Sequence, residues 1–337
     1  MGFPANFSWV HIGYPKPKCK CRSRLRDQNK MNGGSGMEAN PALMRLGLKE
    51  TDRVAILHVD DVGMCGASLD AFAELWAARA VTCGSVMVPC PWFRATAAWA
   101  RDNADVDLGV HATLTSEWSG YRWGPVSTRD PAGGLMDDER CFPRSSAEVA
   151  AHANPVAAGA ELRLQLQLAR EAGISPTHFD THMGSVLNAR LYGEFTSAAL
   201  EAGAVPFGLR LRAEQWRKGG YDEETSRVLS ETVGRLEARG VPFLDRMLML
   251  SLSVGEDRLE HTLHLISRIE PGQIAYVIFH PALDTPELRG ICPDWRSRVA
   301  DYELLRSGRV RDKLEKAGVR LIGCRELQAL MPNCYSS

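Results

Sequence analysis

Two adjacent carboxylates, Asp60 and Asp61, are the first residues of the chain whose types and spacing could support catalysis. They follow the apolar run 54–57, and Gly63 comes two residues after the second of them, where the backbone can turn sharply. Because an unpaired charge is costly inside a protein, the pair is expected to face solvent, a cation or a metal ion. Such a pair can divide two tasks, with one carboxylate binding a metal and the other acting as a base. An ordinary turn with solvated acids explains this stretch alone equally well.

Histidine and aspartate also end or directly follow three later apolar runs, at 107–112, 177–180 and 275–280. These side chains are His111, His178, Asp180, His182 and His280. If the runs are parallel strands, their carboxyl ends lie on one face of the fold. A single histidine in such a position is more often a hydrogen-bonded core residue than a ligand, but four strand ends with this chemistry favour a site.

The candidate metal ligands are one carboxylate and two imidazoles, from Asp61, His111 and His182. This donor set suits zinc, iron, manganese or nickel and leaves coordination positions open. A water in an open position becomes a nucleophile near neutral pH because the metal lowers its pKa, and Asp60 is a candidate to take the proton. Asp180 shares a strand face with His182 and is a candidate to orient a ligand histidine, with a local turn as an equal alternative. His178 has the same parity, and it is either a further contact of the site or a packed residue.

Several other side chains have plain structural explanations. His58 is expected to be buried and hydrogen-bonded, and His261 and His264 are expected on the solvated face of a helix. The irregular segment 116–145 carries side chains that suit stacking on a sugar or another flat substrate, and packing of the loop onto the fold is an equal alternative. These side chains are Trp118, Tyr121, Arg122 and Trp123.

The strand-like runs that must position these residues alternate with segments of helical periodicity. The runs lie at 54–59, 85–88, 107–112, 177–180, 206–211, 243–250, 275–280 and 319–323. Repeated strand-helix units predict a parallel sheet, and this number of them predicts an α/β fold, a (β/α) TIM-like barrel that is distorted or incompletely closed. An open doubly wound sheet is the alternative. The segment 116–145 follows a strand, so it is expected to overhang the face that carries the site.

The composition is that of a protein with a large core and no strong attraction to charged partners. The chain has 337 residues, 45% of them hydrophobic, a formal net charge of -1 and nine cysteines. The near-neutral charge argues against nucleic acid as a partner, and no apolar stretch has the length needed to cross a membrane. Scattered cysteines beside apolar runs favour reduced thiols and a cytoplasmic protein. The oligomeric state is left open, with a homodimer as one option.

The predicted organisation is a single domain, 47–331, that contains the insertion 116–145 and ends in a short tail, 332–337. Residues 1–46 differ from the rest, because a basic run precedes the glycine-rich stretch 33–36. We interpret them as a disordered tail or as the product of a start assigned too early, with Met31 or Met37 as the true one.

The motifs around these residues resemble those of the YdjC/ChbG-like carbohydrate deacetylase family, within the wider group of metal-dependent polysaccharide deacetylases. The family's Asp-Asp-Phe-Gly is matched by residues 60–63 with Val62 in place of phenylalanine, and residues 82–88 resemble its Thr-Ser-x-Ser-x-Met-Val with Cys83 in place of the first serine. Residues 109–114 match Gly-x-His-x-Thr-Leu, and residues 177–182 match Thr-His-x-Asp-Ser-His with Thr181 in place of serine. Residues 280–282 match His-Pro-Gly with alanine in place of glycine. The motifs occur in the family's order, so the set is more specific than any one member.

The resemblance implies a barrel-like α/β fold and a hydrolase acting on the C–N bond of a linear amide. It implies one divalent metal ion held by Asp61, His111 and His182, with zinc or magnesium foremost and manganese, nickel, iron or cobalt as alternatives. Asp60 would be the general base, and His280 the acid or oxyanion partner. By this analogy a metal-activated water removes the acetyl group from a small N-acetylated carbohydrate.

The departures from the family pattern bear on the substrate. The family often has a further histidine shortly after the position of His182, where this chain has Gly184, and the Trp- and Arg-rich insertion also points to a pocket that differs from one for chito-oligosaccharides. The alternatives are a metal-dependent hydrolase of a non-sugar amide or ester, and a non-catalytic carbohydrate-binding barrel. The presence of Asp60 disfavours the second, because a purely structural metal does not require a base.

Overall fold

The strands of the protein form one parallel sheet, in a computed structural model that describes residues 38–252 and 258–332. They are β1 (Arg53–Val62), β2 (Cys83–Val86), β3 (Leu108–Ala112), β4 (His178–Thr181), β5 (Val205–Pro206), β6 (Arg246–Met249), β7 (Ile274–Phe279) and β8 (Val319–Leu321). Each of the eight predicted runs overlaps one of these strands. The period and apolar character of short runs therefore located the strands correctly.

Helices connect the strands and cover the outside of the sheet. They are α1 (Pro41–Arg45), α2 (Gly66–Ala77), α3 (Phe93–Asp102), α4 (Ser146–His152), α5 (Pro155–Glu171), α6 (Tyr192–Glu201), α7 (Ala213–Lys218), α8 (Glu223–Glu237), α9 (Arg258–Ile266), α10 (Pro286–Ile291), α11 (Trp295–Arg306), α12 (Arg309–Lys316) and α13 (Cys324–Gln328). Parallel strands need such crossovers, because a tight turn can join only antiparallel neighbours. None of the helices in the described ranges combines the length with the apolar character needed to cross a bilayer.

The order of strands along the sheet is β5-β4-β3-β2-β1-β7-β6, and β8 pairs with the first residues of β1. The two ends of this path meet at a single parallel bridge between Leu209 and Leu244, where the Arg210 N–H donates to the Leu244 carbonyl at 2.8 Å. The sheet thus curls into a distorted and incompletely closed barrel, as the sequence predicted. An open doubly wound sheet does not bring its edge strands together in this way.

β1 is the central strand of the sheet, and its nine residues from Val54 to Val62 are buried. It pairs with β7 on one side and with β2 and β8 on the other, so both of its edges form hydrogen bonds with neighbouring strands. The side chains of His58 and Asp60 lie inside the barrel with His178 and Asp180 of β4. The interior of such a barrel is usually filled by branched apolar residues, so this polar filling needs a full set of hydrogen bonds.

Part of the range assigned to the tail belongs to the packed domain. Asn40 caps α1, and its side-chain amide donates to the Phe243 carbonyl at 2.9 Å and to Asp245 at 2.7 Å. Leu43 is fully buried in the core. The boundary at residue 46 is therefore corrected, because the chain from residue 38 packs on the barrel. Residues 1–37 and, in the short C-terminal tail, residues 333–337 lie outside the described residues.

Candidate metal centre and active site

The barrel brings the predicted site residues to the carboxyl ends of four strands, β4, β3, β1 and β7, of which β3 and β1 are separated by β2. Asp60 and Asp61 lie near the end of β1, His111 in β3, Asp180 in β4, and His280 directly after β7. His182 begins a single 3₁₀ turn after β4, His182–Gly184. All of these side chains are buried, so their charges and lone pairs must be satisfied by one another or by a bound ion.

Three donor atoms converge at the centre of this group. Asp61 Oδ1 lies 3.1 Å from His182 Nδ1 and 3.5 Å from His111 Nε2. The three residues form a set whose ligand atoms all lie within 4.8 Å of one another. Oxygen and nitrogen ligands about 2.0–2.2 Å from one ion are themselves about 3.0–3.5 Å apart, so this spacing fits a shared metal.

The tautomer of His111 is fixed by Asp180. The Asp180 Oδ1 atom lies 2.8 Å from His111 Nδ1, while its Oδ2 accepts from Ser85 Oγ at 3.0 Å and from the Tyr276 hydroxyl at 3.2 Å. Since a carboxylate only accepts, the hydrogen of His111 is on Nδ1. The Nε2 lone pair therefore faces Asp61, as it would in a histidine that ligates a metal and is oriented by a carboxylate.

The tautomer of His182 is fixed in the same way by a residue of the insertion. Glu117 Oε2 lies 3.1 Å from His182 Nε2, so the hydrogen of the ring is on Nε2 and the lone pair of Nδ1 faces Asp61. When both rings are neutral, two imidazole lone pairs thus meet one carboxylate oxygen. Among the described residues, that oxygen, Asp61 Oδ1, is buried and accepts no hydrogen bond. Repulsion between these atoms is relieved either by a cation that lies between them or by a second proton on each ring, and the donor set fits a divalent metal ion.

The other oxygen of Asp61 is held by a helix far along the chain. Arg298 of α11 donates to Asp61 Oδ2 at 2.7 Å and to Asp294 at 2.9 Å, and its guanidinium lies 5.5 Å from the ring centre of Trp118. This ion pair leaves only Oδ1 of Asp61 for a metal. Arginine thus limits Asp61 to a single ligand atom.

The backbone at Asp61 explains how two adjacent carboxylates reach the same face. Successive residues of a regular strand point to opposite faces, but the register between β1 and β2 shifts between Val59 and Val62. Asp61 has a φ of 61°, in the left-handed region that aspartate tolerates better than most residues. Gly63, with a φ of 77°, follows in a position where a Cβ would lie 2.5 Å from Thr96 Oγ1. The turn therefore needs glycine, as the sequence indicated.

Asp60 lies beside the three candidate ligands without joining them. Its Oδ1 lies 2.8 Å from His58 Nδ1, and its Oδ2 lies 3.7 Å from His111 Nε2 and 3.6 Å from His280 Nε2. One oxygen is thus tied to the barrel interior, and the other faces the histidines at the mouth. This geometry suits a carboxylate that receives a proton from a water between these groups.

His280 is positioned through its backbone. Its N–H donates to Asp301 Oδ2 at 3.0 Å, and Asp301 is in turn paired with Arg258 at 2.6 Å. Among the described residues, the Nδ1 atom of His280 is buried without a hydrogen-bond partner. The ring is therefore held near Asp60 with one nitrogen available.

The charges of the site shift several pKa values. Burial alone would raise the pKa of Asp61, but Arg298 and His182 outweigh it and hold that pKa well below its usual range. Burial opposes protonation of His182, but Glu117 and Asp61 raise the pKa of His182 to about 9 when no metal competes. Burial lowers the pKa of His280, only partly offset by Asp60 and Asp61, so this imidazole rests neutral at pH 7.

Two other groups of potential ligands differ from the first because their atoms already have partners. One group is His58, Asp60 and Asp180, and the other is His58, Cys83 and His178. The ring nitrogens of His58 lie 2.8 Å from Asp60 and 2.9 Å from His178, and the Cys83 thiol lies 3.6 Å from that of Cys324. Hydrogen bonds thus account for these contacts without an ion.

The aromatic and basic side chains of the insertion mainly pack the loop onto the barrel. Arg122 donates to the carbonyls of Ser116 and Phe142 and pairs with Asp137 and Glu139 within the same segment. Trp118 and Trp123 are buried, and the Trp123 indole N–H donates to the Thr115 carbonyl. The ring centre of Trp123 lies 6.2 Å from that of His182, so this side chain forms part of the wall beside the site. His261 and His264 lie on the exposed face of α9.

Four residues that the structure places at the site were not singled out from the sequence. They are Ser85, Glu117, Tyr276 and Arg298. Glu117 carried a usable signal, because it follows β3 by a few residues on the face that holds the site. Arg298 carried none, since it lies in the middle of a helix whose pattern resembles any solvated helix.

Comparison with known proteins places this geometry in a family. Residues 54–316 match the family model described as YdjC-like protein. A carbohydrate deacetylase from Thermus thermophilus is 35% identical over 273 residues, which is 80% of this chain and 92% of that protein. A carbohydrate deacetylase from Geobacillus stearothermophilus is 26% identical over 282 residues, which is 82% of this chain and 99% of that protein.

A solved structure shows the same fold. It comes from Enterococcus faecalis V583 and is described as a candidate cellobiose-phosphate cleavage protein. It superimposes with a TM-score of 0.67 and 22% identity, covering 82% of this chain and 99% of that chain. At this identity the likeness concerns the arrangement of the strands and helices.

Proposed function

The chain belongs to the YdjC-like protein family, and on that premise we propose that it is a metal-dependent hydrolase that removes the acetyl group from an N-acetylated sugar. Two relatives along most of the chain are carbohydrate deacetylases. The observation that carries the proposal is the convergence of His182 Nδ1 and His111 Nε2 on one carboxylate oxygen, Asp61 Oδ1, at 3.1 and 3.5 Å. Those three atoms offer a donor set for a metal cation at the carboxyl ends of the strands, where barrel enzymes have their sites.

Asp61, His111 and His182 would hold one divalent metal ion. When bound there, the ion would polarise the acetyl carbonyl and lower the pKa of a water. The two imidazole donors favour zinc, manganese, iron or nickel over magnesium, which prefers oxygen ligands. Asp180 and Glu117 keep the lone pairs of the two histidines directed inward.

The remaining steps are those of the protein's own side chains. Asp60 Oδ2 would take the proton of the attacking water while Oδ1 stays bonded to His58, which keeps the carboxylate oriented. His280 rests neutral, so as general acid it must first receive a proton, and Asp60 Oδ2 lies 3.6 Å from its Nε2. The proton would pass from the water to Asp60, then to His280, and finally to the amine that leaves.

The test combines metal analysis of the purified protein with acetate release from a panel of N-acetyl sugars, non-sugar N-acetyl amides and acetate esters. Asp60→Asn is expected to keep the metal and lose at least about 100-fold in kcat, because the base is lost while the ligands remain. His182→Ala is expected to lose both metal and turnover. Asp70→Asn and His152→Ala, at exposed positions, are the matched controls and should retain both.

Each outcome bears on one part of the proposal. A fully active Asp60→Asn enzyme would exclude Asp60 as the base. A protein that carries no metal and is activated by none would contradict the metal-dependent mechanism. Turnover of the non-sugar amides or esters in preference to the sugars would replace the proposed substrate by that of the alternative hydrolase.

A further inference from the structure

A chain of hydrogen bonds runs through the barrel from the active-site face to the opposite end. Asp60 Oδ1 lies 2.8 Å from His58 Nδ1, and His58 Nε2 lies 2.9 Å from His178 Nε2. His178 Nδ1 lies 2.9 Å from Thr177 Oγ1, which lies 2.5 Å from Asp107 Oδ1. Asp107 and Thr177 directly precede β3 and β4, so they lie at the amino ends of the strands. All five side chains are buried.

The number of hydrogens in this chain is one short when its groups have their ordinary charges. Four contacts need four hydrogens, one for each. The Thr177 hydroxyl and the neutral rings of His58 and His178 supply one each, and two ionised carboxylates supply none. The missing hydrogen would leave two lone pairs facing each other at hydrogen-bond distance in a buried site, which is costly. The chain therefore holds one additional proton.

Three arrangements within the barrel interior satisfy all four contacts while Asp60 remains ionised, with the additional proton on Asp107, on His58 or on His178. In the first, Asp107 is protonated and donates to Thr177, Thr177 donates to His178 Nδ1, His178 Nε2–H donates to His58, and His58 Nδ1–H donates to Asp60. In the second, Asp107 is ionised and accepts from Thr177, Thr177 accepts from His178 Nδ1–H, and His58 is an imidazolium that donates from both nitrogens. In the third, Asp107 is also ionised, and His178 is an imidazolium that donates to Thr177 and to a neutral His58.

The first arrangement buries fewer charges. It leaves one ionised group in the chain, Asp60, whereas each of the other two requires two buried carboxylates and a buried imidazolium. Asp107 suits the protonated form, because its Oδ2 accepts the Arg325 N–H at 2.7 Å and its Oδ1 is left to donate to Thr177. Gly323 makes room for this contact, since a Cβ there would lie 2.2 Å from Asp107 Oδ2.

The surroundings of both ends agree with this choice. The groups that face Asp107 are Thr177, Arg325, Glu326, Cys83 and Cys324. Burial raises the pKa of Asp107, although Thr177 and Arg325 act against it.

The groups that face His58 are Asp60, Asp180, His178 and Tyr276. Burial, then His58, lower the pKa of His178 to about 3, so its ring is neutral.

We propose that Asp107 carries the additional proton and, through Thr177 and His178, positions His58 as a neutral donor to Asp60. The consequence for catalysis rests on the proposed function, in which Asp60 is the base. His58 then holds Oδ1 of Asp60 in place without taking up its charge, and Oδ2 stays available for the water. Asp107, Thr177 and His178 are positioning residues, because none of them touches the substrate or the metal ligands.

The direct test is nitrogen NMR of the histidine rings in the full chain labelled with ¹⁵N-histidine. The signals are assigned by their loss in His58→Gln and His178→Gln. Near neutral pH we expect the hydrogen of His178 on Nε2 and that of His58 on Nδ1. A hydrogen on Nδ1 of His178, or a doubly protonated His58, would overturn the proposal, and neither result depends on any substrate.

The variant Asp107→Asn provides a second and sharper test of where the additional proton lies. The Arg325 N–H still needs an acceptor, so the amide oxygen of asparagine faces Arg325 and the NH₂ group faces Thr177 as a permanent donor. We expect this variant to keep the hydrogen of His178 on Nε2 and that of His58 on Nδ1 at the high pH at which the wild type loses this arrangement. If the wild type and the variant lose them at the same pH, Asp107 is not the group that holds the proton.

The kinetics of two variants at position 177 tests whether the chain of hydrogen bonds affects catalysis by Asp60. Thr177→Val removes the hydroxyl at nearly constant volume and is expected to lower kcat about tenfold with little change in KM, while Thr177→Ser restores kcat. Equal kcat values for the valine and serine variants would contradict the positioning role. If no substrate is turned over at all, the proposed function fails while the NMR arms still decide the location of the proton.

Discussion

At the scale of single residues, the site depends on side chains that fix the hydrogens of others. Asp180 and Glu117 each hold the outer nitrogen of a histidine, at 2.8 and 3.1 Å, so that the inner nitrogen presents a lone pair. Removing such a partner from a metal-ligating histidine typically weakens metal binding by about 10–100-fold, because the ring is no longer oriented or polarised. In the proposed metal centre, Asp180 and Glu117 would therefore matter nearly as much as the three ligands.

Glu117→Gln tests this dependence on a residue that the sequence did not reveal. The amide can present either an acceptor or a donor to His182 Nε2 but carries no charge, so we expect metal affinity to fall by about tenfold. The measurement is a metal competition titration with a chelator of known affinity. Asp138→Asn, at an exposed position of the same insertion, is the control and should bind metal as the wild type does. Equal affinities for both variants would show that Glu117 does not support His182.

At the scale of elements, the close approach of β3 and β4 makes room for the polar interior. Gly109 of β3 faces His178 of β4, and a Cβ at Gly109 would lie 2.6 Å from both Nε2 and the carbonyl oxygen of His178. Any larger residue would push the imidazole away from His58 or separate the two strands. The glycine in this motif is thus explained by packing inside the barrel, two residues before the candidate ligand His111.

Gly109→Ala is expected to lower the free energy of unfolding by about 1–3 kcal/mol, because the added methyl group must displace a buried ring or a strand backbone. Urea denaturation followed by circular dichroism measures the change. Gly120→Ala is the matched control, since a Cβ at Gly120 meets nothing within 4 Å. Similar stabilities of the two variants would mean that β3 and β4 can move apart without cost.

Helix α1 is the second element with a testable contribution. A chain that begins at residue 38 keeps the hydrogen bonds of Asn40 to Phe243 and Asp245 and the burial of Leu43, whereas a chain that begins at residue 47 loses them. We expect the shorter chain to be less stable by at least about 2 kcal/mol, from one buried leucine and two buried hydrogen bonds. Thermal unfolding of the two chains side by side measures this, and equal melting temperatures would restore the boundary at 46.

At the scale of the whole molecule, the interior of the barrel contains buried ionisable side chains as well as apolar ones. Its stability should therefore depend on pH. The pKa of His178 is about 3 in the folded protein, and it is about 6.5 in an unfolded chain. Between these values the unfolded state binds the additional proton. The contribution of neutral His178 to the free energy of unfolding is therefore complete above about pH 6.5. It is lost as the pH falls from there toward the pKa of His178 in the folded protein.

Comparison of the wild type with His178→Gln isolates the pH-dependent contribution of His178 to stability. Below about pH 6.5 the free energy of unfolding of the wild type should fall more steeply than that of the variant, with a difference approaching about 1.4 kcal/mol per pH unit. Denaturation series at several pH values, with a chelator present in all samples, give the two slopes. His152→Gln, an exposed position, should keep the slope of the wild type. Parallel slopes for the wild type and His178→Gln would contradict a neutral buried His178.

The sequence by itself determined the eight strands and the chemistry at their carboxyl ends. An apolar run between helical segments is a local pattern, and a polar residue at its end is visible in the same window, so Asp60, Asp61, His111, His182 and His280 could be named before any contact was known. The same local reading placed the start of the domain too late. The buried hydrogen bonds at the start of α1 join Asn40 to Phe243 and Asp245, which lie 203 and 205 positions further along the chain.

Only the tertiary structure decided which partner each polar group has and therefore where the hydrogens are. Arg298 meets Asp61 across 237 positions, and Glu117 meets His182 across 65. The parity of a regular strand would have sent Asp60 and Asp61 to opposite faces, and the left-handed backbone at Asp61 with its shifted register brings both to the mouth. Hydrogen-bond direction and strand register arise from contacts between distant segments, and no local window of sequence contains both sides of such a contact.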